Sequence, residues 1–381
     1  MVKDTQTRME EVVEKYREYT DKYFLRTRQI LENEGINPYV RYQVFARKGG
    51  EVRGVNEAVQ FIKEVAGNKA KIFALADGQI YSPCEPLMKI EGNVQDLVEL
   101  ETVYLGMISA GLTGDISMQE VKQRAGDIVR ESQGKPVFYF GARHFHPTLD
   151  EKIAKICQEE GFIGASTDVG ARAWNAKGIG TTPHALIVSY AAYLKENGNI
   201  ANATAEAAKG FDKYVDKTVP RLMLIDTFNR EIDDTTETAE AVPNLRGIRI
   251  DTCGENYAQG AKEIALPKLD APEKYVRGKG VTLAAVWALR NALVQKELGN
   301  LELTVSSGFN AEKTKAFVEA DRVFKEKFGY ELFTNIGTGS IANPIMATAD
   351  IVAYKNEKNQ WIEMHKVGRP EIATERLQEI K

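Results

Sequence analysis

Cysteine is scarce in this chain: Cys84, Cys157 and Cys253 are the only three in 381 residues, and no CxxC pair exists. That argues against a zinc knuckle and against a disulfide scaffold, and an odd, sparse count fits a reducing cytosol. Long apolar runs are also lacking. None reaches the ~18 residues that a membrane span needs. The opening stretch, MVKDTQTRMEEVVEKYREYTDKYF, is charged and has no apolar signal-peptide core. The expected compartment is therefore the cytoplasm. Nor is positive charge in excess. A net charge of −4 and a pI near 5.8 leave no broad basic field for nucleic acid or an anionic membrane. An anionic ligand must be gripped locally, by a few Arg or Lys and by backbone N–H groups. No internal repeat or low-complexity segment is visible.

What remains is ordinary globular material, 43% hydrophobic and 27% charged. The length suits two or three domains, or one large barrel with an appended domain. Residues 8–34 read as helix, broken near Thr20 and Asp21 by N-cap residue types. Residues 40–47 alternate as a strand, 55–66 read as a short helix, and the Asp-Gly and Ser-Pro punctuation of 70–92 predicts short antiparallel strands. Residues 95–112 carry a helical pattern. The tail, 352–381, holds strand-like pieces and is expected to pack back on the first third.

From residue 135 onward the pattern changes. Short apolar runs at 137–140, 162–165, 221–225, 247–250, 301–305 and 331–336 alternate with helical stretches at 148–160, 184–197, 204–215, 255–264, 281–298 and 311–328. Such alternation predicts a parallel sheet, open or closed into a barrel. The expected architecture is α/β. An irregular β/α barrel spans 131–344, and a smaller α+β sandwich domain is built from 1–130 and completed by 345–381. A doubly wound open sheet gives the same local pattern.

The polar residues sit where these strands end. Gly141, Ala142, Arg143 and His144 follow the first run. Asp226 and Thr227 follow the third, Asp251 and Thr252 the fourth. Ser306, Ser307, Gly308, Phe309 and Asn310 follow the fifth, and Gly337, Thr338, Gly339 and Ser340 the last. In a β/α barrel such loops meet at the C-terminal face, where active sites form. Glycine-rich loops after the last two strands suit a phosphate held by backbone N–H groups and a helix N-terminus. Arg143 and Arg249 end apolar strands, and a guanidinium there suits a carboxylate or phosphate; the alternative is a structural ion pair. His144 and His146 would share one side of a strand, but a metal site needs a third ligand and none is evident. Cys253 reads as a small space-filler.

At these loops the sequence resembles the nicotinate phosphoribosyltransferase family, in its archaeal-type branch, over most of the chain in order. Thr20-Asp21-Lys22-Tyr23-Phe24 resembles the family's T-D-x-Y segment. Phe140-Gly141-Ala142-Arg143 resembles F-G-x-R. Gly180-Thr181-Thr182-Pro183-His184-Ala185 resembles G-T-x-x-H-A. Leu224-Ile225-Asp226-Thr227-Phe228 and Gly247-Ile248-Arg249-Ile250-Asp251 are similar to its L-x-D-T-[YF] and G-V-R-x-D strands. One departure stands out: the family often continues R-x-D with Ser-Gly-Asp, and here Thr252-Cys253-Gly254 follow.

The resemblance implies a type II phosphoribosyltransferase fold with six or seven barrel strands. It implies nicotinate and phosphoribosyl pyrophosphate as substrates, Mg²⁺ as cofactor and ATP as co-substrate. It implies a homodimer or higher oligomer with shared active sites, Tyr23 coming from the neighbouring subunit. Phe140 and Tyr23 would then stack on the pyridine ring, with Arg143, Ser166, Thr167 and Asp226 among the substrate-binding residues. Arg249 and Asp251 would be catalytic, Asp251 also binding the metal. The two glycine loops, Gly308 to Asn310 and Gly337 to Ser340, would hold phosphate. His184 would take a phosphoryl group from ATP. Relatives using nicotinamide place an Asp about where Ser166 stands. Quinolinate, with two carboxylates, asks for a denser basic cluster, to which Arg172 and Lys177 could add. A non-catalytic nucleotide-binding homologue and an unrelated barrel lyase are the competing classes, though no strand here ends in the lysine a Schiff base needs.

Overall fold

The computed structural model describes residues 5–199 and 202–381. The strands, in chain order, are β1 (Tyr39–Ala46), β2 (Gly50–Glu51), β3 (Lys71–Ala74), β4 (Ile80–Tyr81), β5 (Pro86–Asn93), β6 (Val137–Tyr139) and β7 (Leu222–Leu224). They continue with β8 (Gly247–Ile250), β9 (Glu302–Val305), β10 (Asn335–Thr338), β11 (Ala347–Lys355), β12 (Trp361–Glu363) and β13 (Gln378–Glu379).

Both ends of the chain build one antiparallel sheet, in the order β12-β11-β1-β5-β3-β13. Its centre pairs Val44 of β1 with Ala349 of β11 on one side and with Met88 of β5 on the other. Val40, Tyr42 and Val44 alternate along β1 and are buried, as period-two apolar residues on a covered face should be. Helix Glu101–Thr113 packs against β11, and helix Val55–Ala66 packs against that helix. The expected break at Thr20 and Asp21 is real: one helix runs Thr5–Tyr19 and the next Lys22–Glu34. The junction is tied down, since the Thr20 hydroxyl donates to Glu99 O at 2.8 Å, Asp21 N to Thr102 Oγ1 at 2.9 Å, and Lys22 N to Ser166 O at 2.8 Å.

The second sheet is parallel, in the order β6-β10-β9-β8-β7. Two segments without regular strand structure close it into a ring. Ile163 N donates to Val137 O and Tyr139 N to Gly164 O, which sets 163–165 beside β6. Ile179 N donates to Ala165 O, and Leu224 N to Thr182 Oγ1 at 3.0 Å, which joins 179–182 to β7. The result is an irregular β/α barrel of the kind expected. The run at 162–165 is thus a stave only by hydrogen bonds, with a single bridge at Ala165.

Two expectations fail locally. The helix expected at 255–264 is a series of turns, with Gly260 in the left-handed region at φ 74° and Gly280 N donating to Asn256 O. Instead a helix runs Glu231–Ala241, whose buried face is polar: Glu231, Asp234, Thr235 and Thr238. Thr204 donates to Asp234 at 2.7 Å and Thr252 to Glu231 at 2.8 Å. A helix that buries carboxylates on hydroxyls leaves no apolar period to read. The last barrel strand also starts later than expected, at Asn335 rather than 331.

Candidate active site

A cavity of about 480 Å³ opens where the barrel strands end, walled on its far side by β11 and the tail after β12. Five cations line it (Arg47, Arg143, Arg249, Lys366 and Arg369) against three carboxylates, Glu101, Asp251 and Asp350. The basic residues that a net acidic chain could only supply locally are therefore gathered here.

Arg249 carries the sharpest signal. Its neighbours in β8, Ile248 and Ile250, are fully buried, and the alternation of a strand leaves Arg249 to face the cavity. It is 7% exposed, forms no ion pair among the described residues, and its Nε has no hydrogen-bond partner. A buried guanidinium left unpaired is costly unless an anion completes it. Beside it, a narrow crevice is lined by Asp21, Tyr23, Phe140, Arg143, Ser166 and Thr181. The Ser166 hydroxyl there is buried and also without a partner. Phe140 lies across β10: a Cβ on Gly337 would sit 2.2 Å from the ring, so only glycine fits.

Arg143 is paired, by contrast. Its guanidinium lies 3.4 Å from both Asp21 and Glu101, and its centre is 5.9 Å from the Tyr23 ring. Tyr23 is buried, donates to Asp21 at 3.0 Å and lines its own chain's cavity. Within the single chain, the Thr20 to Lys22 junction is bonded to the chain's own body and sets Tyr23 against the chain's own cavity. Burial raises the Glu101 carboxyl to about 8, although Arg143 opposes this.

Asp251 accepts the Ser306 hydroxyl at 2.7 Å. Burial disfavours its charge, but Arg249, Lys366 and that hydroxyl outweigh it and hold its pKa below the ordinary carboxylate value. Asp226 does not line the cavity; it lies behind, 2% exposed, accepting Lys366 Nζ at 2.6 Å and the Asp251 N–H at 3.2 Å. Its expected contact with substrate is corrected to a support for Lys366 and Asp251.

His184 opens helix His184–Glu196. Its Nδ1 lies 2.9 Å from Thr227 Oγ1 and its Nε2 2.8 Å from Lys366 Nζ. Burial, Lys366 and Arg249 push its pKa well below the ordinary value, and a helix N-terminus acts in the same direction. The imidazole is neutral. An ammonium has only protons to give, so Nε2 accepts from Lys366 and Nδ1–H donates to Thr227.

Of the two glycine loops, Gly308 and Gly337, Thr338, Gly339 and Ser340 line the cavity. Ser307 and Gly308 both adopt positive φ, 77° and 72°. Phe309 does not face the cavity: it is fully buried and meets Phe317 edge-on at 4.8 Å. Asn310 caps helix Ala311–Phe328, accepting Lys313 N at 2.9 Å. Thr167 is likewise a cap: it accepts Gly170 N at 2.9 Å and donates to Asp150. The side chains of these three thus serve the fold rather than facing the cavity, and each is a residue type that serves both roles. Arg172 binds Glu18 and Glu151 away from the cavity, and Lys177 is not among its lining residues. The His144 and His146 pair divides: His144 contacts Gly339 O at 2.9 Å, while His146 contacts Thr148 and Glu57. Cys253 is buried at the cavity edge as a filler, its thiol pushed up by burial.

Sequence reasoning missed Glu101, Asp350, Lys366 and Arg369. Lys366 bonds His184, Asp226 and the Asp251 carbonyl. Arg369 bonds Asp350 and Glu255, each at 3.2 Å. Both lie in a tail with no local motif around them. Among the described residues no group of three or more His, Cys, Asp or Glu is arranged to hold a metal. Asp251 alone offers a carboxylate beside the phosphate loops. That suits Mg²⁺, which commonly takes one or two carboxylates and completes its shell with substrate phosphates and water.

A family model for the quinolinate phosphoribosyl transferase N-terminal domain matches residues 21–110. The chain is 25% identical over 264 residues to nicotinate phosphoribosyltransferase pncB1 of Mycobacterium tuberculosis, covering 68% of this chain and 56% of that protein. It is 24% identical over 211 residues to pncB2 of the same organism, covering 53% and 41%. The matched region thus spans about half the length of these relatives. The fold is similar to that of nicotinate phosphoribosyltransferase from Porphyromonas gingivalis, with a TM-score of 0.64 at 14% identity over 91% of this chain and 92% of that one. The enzyme from Vibrio cholerae gives 0.63 at 14% identity, covering 91% and 89%. Fold, strand-end residues and relatives agree in one direction: the chain is similar to nicotinate phosphoribosyltransferases.

Proposed function

We propose that this protein transfers the phosphoribosyl group of phosphoribosyl pyrophosphate to nicotinate, releasing pyrophosphate and forming nicotinate mononucleotide for NAD biosynthesis. The observation that carries this reading is the unpaired Arg249 guanidinium beside the unpaired Ser166 hydroxyl, in a crevice flanked by Phe140 and Tyr23. A flat ring bearing one carboxylate, seated in the main cavity that Phe140, Tyr23 and Arg249 also line, meets the aromatic faces and gives Arg249 its anion, while the Ser166 crevice has room for a group the size of one carboxylate oxygen. An amide would leave Arg249 without its anion, and a second carboxylate would meet Asp21 in the same crevice.

As the pyrophosphate bond breaks, positive charge grows on the ribose ring, as in other glycosyl transfers. The ionised Asp251 stands at the strand end to stabilise it. The backbone of the Ser307 and Gly308 turn and of the Gly337 to Ser340 loop receives phosphate oxygens. Asp251, together with the substrate's own phosphates, would hold Mg²⁺, which would supply charge neutralisation at the leaving pyrophosphate. A neutral His184 supplies a nucleophile for ATP, which couples ATP hydrolysis to tighter substrate binding. The working unit is a cytoplasmic homodimer or higher oligomer, which sedimentation velocity reads directly.

The test is a product assay with nicotinate, nicotinamide and quinolinate, each with phosphoribosyl pyrophosphate and Mg²⁺, with and without ATP. Nicotinate is expected to turn over fastest and to gain from ATP. Faster turnover of quinolinate or nicotinamide overturns the substrate assignment. Binding of phosphoribosyl pyrophosphate without any turnover marks a non-catalytic homologue.

A further inference from the structure

Lys366 comes from the tail, more than a hundred residues beyond the strand ends it touches. It is 5% exposed, and its ammonium has three partners: Asp226 Oδ2 at 2.6 Å, His184 Nε2 at 2.8 Å and Asp251 O at 3.2 Å. An ammonium has three protons, so no donor is left over for a phosphate. The tail is pinned around it: Val367 N donates to Thr227 O at 2.9 Å, and Asn256 Nδ2 to Val367 O at 2.6 Å. Thr227 therefore holds both the Nδ1 side of His184 and the backbone that carries Lys366.

We propose that Lys366 is a positioning residue that locks His184 in its Nδ1–H tautomer and masks the Nε2 lone pair until an entering anion draws the ammonium away. This rests on the reading of His184 as the acceptor of a phosphoryl group. Attack by Nε2 on ATP forms an N–P bond and breaks the bond between the γ-phosphorus and the β,γ-bridging oxygen. ADP leaves with that oxygen, while the Nδ1 proton stays on its bond to Thr227. None of this can start while Nε2 accepts from Lys366. The phosphates of ATP itself, arriving at the Asp251 end of the cavity, would compete for the ammonium and free the nitrogen.

The experiment uses the full chain, with Lys366→Met and Lys366→Arg. Nitrogen NMR of the four histidines, with His184 assigned by His184→Asn, reads the tautomer without any activity. The wild type is expected to show a single Nδ1–H form that mixes with the other in Lys366→Met. Labelling from γ-³²P ATP without phosphoribosyl pyrophosphate is expected to rise roughly tenfold in Lys366→Met, the size of one lost charge-assisted hydrogen bond. An unchanged tautomer, or labelling that falls, overturns the proposal. Lys366→Arg keeps the charge in a different shape, so a tautomer held as in wild type would overturn the claim that the single ammonium geometry sets it. Nicotinate transfer with and without ATP, measured on wild type in parallel, reports separately on the proposed function: its absence under both conditions defeats that reading and leaves the tautomer result standing.

Discussion

The two walls of the cavity hold their charges differently. On the barrel wall, Arg249 and Ser166 present buried polar atoms with nothing bonded to them. On the facing wall, each cation is already engaged: Lys366 with Asp226, Arg369 with Asp350 and Glu255, Arg47 with Glu255; on the barrel wall Arg143 is the paired exception, held by Asp21 and Glu101. An unpaired buried group waits for a ligand, whereas a paired one holds the architecture and can bind only by exchanging partners. The difference separates binding groups from positioning groups within one ring of like charges.

The strongest way to break that comparison is Arg249→Ala. If the barrel wall binds the anion, kcat/KM should fall by the equivalent of ~2–5 kcal/mol, since a desolvated anion loses its partner. Arg249 also offsets the burial of Asp251, so its removal should lower the thermal midpoint, but by less than the kinetic loss. Steady-state kinetics beside calorimetry separates these effects. A large loss of stability with near-normal kcat/KM would make Arg249 a structural cation and dissolve the distinction between the walls.

The barrel wall was legible in the sequence and the facing wall was not. Strand ends announce themselves locally: an apolar run, then Arg249 and Asp251, or Gly337 to Ser340. The sheet register then brings such residues together without further information. Lys366 and Arg369 reach their partners by tertiary packing across more than a hundred residues, and no periodicity encodes that. The polar helix Glu231–Ala241 stayed hidden because its buried face is held by hydroxyls rather than by apolar contacts. Tyr23, expected from a neighbouring subunit, lines its own chain's cavity here, set there by the hydrogen bonds of Thr20 and Asp21, which no motif records.

Glu101 sharpens the comparison from the paired side. Its ordinary pKa is near 4.5, and burial lifts it to about 8 in the folded protein. A carboxyl raised on folding holds a proton that the unfolded chain releases, so stability falls as pH climbs from about 4.5 to about 8. Glu101→Gln removes that slope. Urea midpoints measured from pH 5 to 9 should show the variant gaining on wild type up to about pH 8, then levelling. Were Glu101 chiefly an anion paired with Arg143, its loss would cost most at high pH, the opposite trend.

The smallest effect, and the finest cut, lies between two neighbours. Ser166 and Thr167 both read as substrate-binding residues in the sequence, yet the structure gives them opposite fates. Ser166 has an unpaired hydroxyl in the crevice, while its backbone oxygen accepts Lys22 N. Thr167 has a hydroxyl used twice, capping the Asp168–Ala171 turn through Gly170 N and donating to the buried Asp150. Ser166→Ala keeps the backbone bond and removes only a hydroxyl with no protein partner. Stability should hold within ~0.5 kcal/mol, while KM for nicotinate rises by up to about tenfold, one hydrogen bond's worth. Thr167→Ala should cost ~1 kcal/mol of stability through the lost cap, and more as Asp150 loses its donor, with KM little changed. Paired thermal melts and nicotinate titrations of the two variants give a crossed pattern if unpaired groups bind and paired groups build. Two variants that lose stability equally, with KM unmoved in both, would show that the free hydroxyl of Ser166 has no ligand to meet.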